Sequence, residues 1–224
     1  MGLFLETYKR LCSDGGAVLS IHVSARLSST IHTALMAAAS LPELPIRVMD
    51  SQQLSMGLGW QAIIAARAAQ RGLSLDKVCQ EMERVTGRVR AVAALPSLWY
   101  VQRGGRIGKA TALLGTALNM KPLVQVLHGE VLPVANVRTW HKALKRLAEY
   151  IIAAGPSVEL AVLNAANPQD GEVLADLLKD YFPRERMLMG EAGATITTHL
   201  GPGQWVFAVC WPSSKSGCQP DLQD

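Results

Sequence analysis

One histidine stands in the run Thr198-His199-Leu200-Gly201-Pro202-Gly203 near the end of the chain. Two glycines around a proline cannot continue a helix or a central strand. The run therefore predicts a turn at the edge of a sheet, with the His199 imidazole held at its mouth. There the ring can pass a proton or a hydrogen bond to an anion near neutral pH. Packed on the turn with its nitrogens on backbone carbonyls, it would do neither.

Hydroxyls form a second group. Ser24, Ser28, Ser29 and Thr30 gather at the carboxyl end of the first apolar strand, where open parallel sheets place ligands. Such hydroxyls cap the next helix or hold an anion at its N-terminus, and the two roles are compatible. Asp50-Ser51 with Ser55-Met56-Gly57-Leu58-Gly59 repeats the arrangement at the next strand end. Two glycines in a first helical turn cost helix propensity, which points to close approach by a ligand or another element.

A third group, Arg103, Arg106 and Lys109, crowds the glycine turn Gly104-Gly105-Arg106-Ile107-Gly108. It is not a P-loop. Arg103 stands where the first glycine belongs, Ala110 follows the Gly-Lys pair, and a helix precedes it rather than a strand. The cations are either a solvated turn or a site for a phosphorylated or nucleotide substrate. The sequence has no nucleophile elbow and no paired carboxylates, so no catalytic residue is assigned and the chain is not expected to be an enzyme.

Composition narrows the classes. With 224 residues, 49% of them hydrophobic, the chain can bury a substantial core. No apolar run approaches a membrane span, and Glu6, Lys9 and Arg10 interrupt the first segment as a signal peptide, so a cytoplasmic protein without integral membrane insertion is expected. Cys12, Cys79, Cys210 and Cys218 include no C-x-x-C pair, which argues for reduced thiols and against a metal site. The net charge of +4 is dispersed and aromatics make up 5%, a poor match to nucleic-acid binding.

The elements that must position these groups read as α/β in two domains. Over residues 1–87 a helix from Met1 to Asp14 precedes two strands, Ala17 to Val23 and Ile46 to Met49. The first is apolar enough to be buried on both faces. Ser28 or Ser29 caps a helix to about Ser40, Ser55 caps one to about Arg71, and Ser74 opens another with the stripe Leu75, Val78, Met82 and Val85. Strand alternating with helix predicts a parallel sheet. Residues 88–211 change pattern: a strand from Val89 to Leu95, a helix broken at Gly104-Gly105, a short helix from Lys109 to Leu118, and a hairpin through His128-Gly129. Thr139 then opens a helix, Val158 to Leu163 is a strand, and Asn167-Pro168 starts a further helix. Strands from Met187 to Thr198 and from Trp205 to Trp211 complete a mixed sheet. Residues 212–224 form a polar tail expected to be disordered.

Taken together, Ser20-Ile21-His22-Val23-Ser24-Ala25-Arg26-Leu27-Ser28-Ser29-Thr30, the Asp50-Ser51 and Ser55-to-Gly59 segment, the turn from Arg103 to Lys109 with Ala112-Leu113-Leu114-Gly115, Lys121-Pro122, Val137-Arg138-Thr139 and the run around His199 resemble the DegV family. That family comprises bacterial fatty-acid-binding proteins, some of which present the acyl chain to a fatty acid kinase. The resemblance covers the chain from about Gly15 to Trp211. It implies two α/β domains with a long-chain fatty acid such as palmitate between them, its tail in an apolar slot and no other cofactor. On the matching positions Ser28 binds the carboxylate and His199 stands beside the head group, with Ser24 and Ser55 in the ligand-binding segments. The resemblance also implies that Arg106 and Arg138 lie where the family carries basic residues around the kinase-facing and phosphoryl end.

The chain departs from the family's pattern in places. The early Asp-Ser strand and the Thr-Thr-Ser-Gln run, whose threonine is a second carboxylate ligand, do not occur, so the chain is expected to start after that segment with an incomplete first domain. Ser29 replaces a usual glycine, Asn164 a usual histidine, and Gln204-Trp205 the small residues that follow Gly-Pro-Gly. The rival expectation is an α/β enzyme acting on a small phosphorylated or nucleotide substrate near Arg106.

Overall fold

The structure, a computed structural model, describes residues 1–113, 119–165, 167–201 and 206–212. Pro202, Gly203, Gln204 and Trp205, the second half of the expected helix from Lys109 and residues 213–224 of the polar tail lie outside the described residues, whereas Pro212, expected to open that tail, ends the last strand, opposite Ser157. The chain divides into two compact units, Met1–Arg88 and the chain from Val89 onward.

The first unit runs α1 (Gly2–Cys12), β1 (Val18–His22), α2 (Thr30–Ala39), β2 (Ile46–Asp50), α3 (Met56–Gln70) and α4 (Leu75–Thr86). The two strands pair in parallel, from Val18 opposite Ile46 to His22 opposite Asp50. Tyr8 and Cys12 of α1, Val18, Ala37 of α2, Leu41 and Ile46 form a core between the strands and the first two helices. In α4, Val78, Met82 and Val85 are buried, as the helical period requires, and Gly87 follows as the C-cap.

The expectation that β1 is buried on both faces is corrected: only Val18 is buried, and Leu19 to His22 are half-buried. A two-stranded ribbon has no central strand, and Ser20 and His22 put polar groups on one side of β1. Those groups are used. The Tyr8 hydroxyl donates to Ser20 Oγ (2.8 Å), and Ser20 Oγ lies 2.8 Å from His22 Nε2. The Phe4 ring meets the imidazole edge-on at 5.5 Å, so α1 is fixed to β1 by polar and ring contacts.

Burial holds the His22 pKa below its ordinary value of 6.5. The unfolded chain then takes up a proton that the folded unit resists. The contribution to stability is present above the unfolded value and is lost as pH falls through the folded one. Urea unfolding at about pH 7.5 and about pH 5.5 is expected to show a larger loss on acidification for the wild type than for His22→Gln. Equal losses would remove His22 from the account.

The second unit contains β3 (Arg90–Ala94), α5 (Trp99–Arg103), a 3-10 turn (Gly108–Leu113), β4 (Lys121–Leu127), β5 (Glu130–Val137), α6 (Trp140–Ala153), β6 (Ser157–Asn164), α7 (Pro168–Leu178), β7 (Leu188–Glu191), α8 (Ala194–Leu200) and β8 (Val206–Pro212). Its sheet has the order β5-β4-β3-β8-β6-β7. Only β6 and β7 run parallel, and the other neighbours are antiparallel, giving the expected mixed sheet. The β4–β5 hairpin turns at His128 (φ 50°) and Gly129 (φ 80°), the pair of left-handed residues a tight two-residue hairpin demands. Thr139 Oγ1 accepts from the Lys142 amide (3.3 Å) and caps α6. One core joins Val92 and Ala94 of β3, Leu160 and Val162 of β6, Leu144, Leu147 and Ile151 of α6, and Leu174 and Leu178 of α7.

The described part of the short helix expected from Lys109 is a 3-10 helix, Gly108–Leu113. One expectation fails here. The stretch from Met187 to Thr198 is not one strand: it is β7 followed by α8, whose β-branched residues are drawn into a helix. The Thr197 and Thr198 hydroxyls donate to the carbonyls of Gly193 (3.3 Å) and Ala194 (2.8 Å), one turn back.

Candidate functional site

In the first unit the loops after β1 and β2 are tied together. The Ser24 amide donates to the Gln53 carbonyl (2.9 Å), the Ser51 amide to the His22 carbonyl (3.0 Å), and the Ala25 amide to Asp50 Oδ2 (3.2 Å). Ser24 is fully buried, and its Oγ accepts from the Arg26 amide (3.2 Å). Its carbonyl accepts from the Ser28 amide (3.0 Å), which brings Ser24 and Ser28 into one turn. Ser28 is half-buried. Its Oγ accepts from the Thr30 amide (3.3 Å) and lies 2.9 Å from Thr30 Oγ1, so Ser28 rather than Ser29 covers the first amide of α2. Two hydroxyls thus stand side by side at the start of a helix, an arrangement able to donate to an anion.

Ser55 occupies the cap position of α3 but makes no side-chain cap bond, against expectation. Its backbone, at φ 51° and ψ −137°, turns the carbonyl toward the amides of Leu58 (3.1 Å) and Gly59 (3.0 Å) instead. Gln52, at φ 52°, shares this left-handed geometry. Such backbone is costly and concentrates at binding loops. The close approach expected at Gly57 is made by protein: a Cβ there would lie 2.7 Å from Gln53 Oε1.

In the second unit His199 sits in the last turn of α8, a correction to the expected sheet-edge turn, and Gly201 ends that helix at φ 85°. Gly201 adopts this backbone because α8 stops against α5. A Cβ on Gly201 would lie 2.1 Å from Cδ2 of Tyr100. His199, two residues before Gly201, meets the end of the same short helix: a Cβ on Gly104 would lie 3.0 Å from His199 Nδ1, so the imidazole packs on the glycine turn that carries Arg106. The Arg106 guanidinium donates to the Gly104 carbonyl. His199 and Arg106 therefore flank one peptide, and Arg106 is exposed. Arg103 lies over the Trp99 ring at 5.0 Å, and Lys109 Nζ pairs with Glu130 Oε2 at 3.1 Å. Arg138 is exposed at the end of β5, just before the Thr139 cap. Asn164 is structural: it donates to the Gly190 carbonyl (3.1 Å) and accepts from the Asn167 amide (3.3 Å).

Ser24, Ser28 and Ser55 thus belong to one unit, and His199, Arg106 and Arg138 to the other. Sequence reasoning does not single out Tyr100, whose part depends on packing against a residue far along the chain. Among the described residues no helix is long and apolar enough to cross a membrane.

The fold defines a class of two-unit α/β proteins, with a parallel strand pair in one unit and a six-stranded mixed sheet in the other. The family model described as "uncharacterised protein, DegV family" matches residues 1–212, and the chain belongs to the DegV family. A DegV domain-containing protein of Streptomyces coelicolor is 40% identical over 205 residues, which span 90% of this chain and 73% of the relative. The fatty-acid-binding DegV family protein of Thermus thermophilus matches with a TM-score of 0.86 at 31% identity, over 93% of this chain and 75% of that one. DegV of Bacillus subtilis, described as a fatty acid binding protein, matches with a TM-score of 0.81 at 29% identity, over 94% of this chain and 76% of that one.

Proposed function

We propose that this chain binds a long-chain fatty acid such as palmitate, with the carboxylate held by Ser28 and His199. The observation that carries the reading is the likeness to the Thermus thermophilus protein, whose description states fatty acid binding. Burying the alkyl chain supplies the affinity: at about 0.8 kcal/mol per CH₂, a chain of about sixteen carbons gains on the order of 10 kcal/mol before the costs of association. The polar groups set which end goes where, because a desolvated carboxylate without donors is costly. Ser28 and Thr30 offer adjacent hydroxyls at the start of α2, and His199 offers an imidazole beside the Arg106 turn.

The chain carries out no turnover of its own in this reading. It presents the bound carboxylate to a fatty acid kinase that forms acyl phosphate, and Arg106 and Arg138, both exposed, face that partner and the incoming phosphoryl group. Protein purified from a bacterial host is expected to release fatty acid on denaturing extraction, detectable by mass spectrometry, and delipidated protein to bind palmitate in solution. Protein that carries no lipid and does not bind palmitate would overturn the reading.

A further inference from the structure

Helix α6 carries its charge against its own dipole. The N-terminus is the positive end of a helix, where acids are favoured and cations are not. The first turn of α6 has no acidic residue and includes Lys142, and its last turn has no basic residue. Arg138, just before the Thr139 cap, and Lys145, three residues after Lys142, add two cations at the same end. All three residues are exposed, and none forms an ion pair among the described residues. The acids that touch α6 here are engaged. Glu149 pairs with Arg146 (3.2 Å), and Asp170 accepts from the Trp140 indole (2.7 Å) and from Asn167 Nδ2.

Packing does not require these cations. The buried side of α6 is Ala143, Leu144, Leu147, Ala148 and Ile151. Lys142 has Lys145 and Arg146 three and four residues on, spacings at which like charges weaken a helix. An acid at Lys142 would suit the helix better, so the stretch is suited to a partner that brings negative charge to it. The surroundings narrow the partner. No large hydrophobic residue is exposed between Arg138 and Lys145, so this face lacks both the apolar groups a helix lays into lipid and the rings on which single-stranded nucleic acid stacks. Carboxylates on a protein surface match exposed, unpaired cations in a polar contact.

We infer that the exposed face of α6, from Arg138 through Lys142 to Lys145, is a docking surface for an acidic face of the fatty acid kinase. The inference rests on the presentation reading and extends its partner-facing surface beyond Arg138. Acyl phosphate formation by the kinase catalytic subunit of the same bacterium, measured against the concentration of palmitate-loaded protein, tests it. Lys142→Glu with Lys145→Glu is expected to raise KM about tenfold with kcat little changed, and added salt is expected to raise KM more for the wild type than for this variant. Palmitate affinity should stay at the wild-type value, and the unfolding midpoint should hold or rise, because Lys142→Glu places an acid in the first turn. Lys77→Glu with Lys179→Glu, exposed residues on α4 and at the end of α7, makes the same change in net charge and should leave KM in place. An unchanged KM in the α6 variant, or an equal rise in the control, would overturn the inference while the presentation reading stands. So would an unchanged KM accompanied by lost binding to anionic phospholipid vesicles, which would assign the face to a membrane. Loaded wild type from which the kinase forms no acyl phosphate would defeat the presentation reading, and this inference with it.

Discussion

Gly201→Ala is expected to destabilise the second unit by about 3 kcal/mol, the largest single-residue effect predicted here. Two costs combine. At φ 85° and ψ 169°, Gly201 occupies backbone that side-chain-bearing residues adopt only with strain of about 1–3 kcal/mol. The new Cβ would also fall 2.1 Å from Cδ2 and 2.4 Å from Cγ of Tyr100, an overlap that only a shift of α8 or α5 can relieve. Overpacking of this kind costs about 1–3 kcal/mol. Gly193→Ala is the control, because a Cβ there meets nothing within 4 Å and φ is −67°. Chemical denaturation should show Gly201→Ala well below Gly193→Ala. Placing Gly201→Ala in a Tyr100→Ala background should recover the overlap and leave the backbone strain. A Gly201→Ala protein as stable as the wild type would mean that α8 does not end against Tyr100.

That contact also marks where sequence reasoning stops. The stripe Val78, Met82 and Val85 is legible because a helix closes on residues three and four apart. The hairpin at His128-Gly129 is legible because its turn needs two left-handed residues in sequence. Both are local. Thr195, Ile196, Thr197 and Thr198 have the side chains of a strand, and by propensity alone they extend β7. The structure overrides that propensity with i−4 hydroxyl bonds and the Gly201 stop. His199 was legible as a residue of interest, since glycine and proline beside an imidazole are unusual in a regular element. Its actual support, the Gly104 turn, lies far earlier in the chain and follows only once α5 and α8 are packed. In the same way the serines after β1 announced a loop, while the division of labour between Ser24, buried and bonded to backbone, and Ser28, half-buried beside Thr30, came from three-dimensional contacts.

That division of labour sets the second large effect. On the proposed assignment, Ser28→Ala combined with His199→Ala is expected to weaken palmitate binding about a hundredfold, because two proposed donors to the carboxylate are removed together. Ser24 is a poor choice for the same experiment: its side chain is fully buried and holds the Arg26 amide, so its loss would act through the loop. Ser28→Ala loses only the contacts at Thr30, and His199 packs its Nδ1 edge against Gly104. Both side chains are half-buried, so the double variant should unfold near the wild-type midpoint. Affinity for 1-hexadecanol, which draws on the alkyl chain, should change far less than affinity for palmitate. If palmitate and 1-hexadecanol weaken in parallel, the two residues shape the apolar path. If neither ligand is affected, the carboxylate is held elsewhere and the assignment of Ser28 and His199 is wrong.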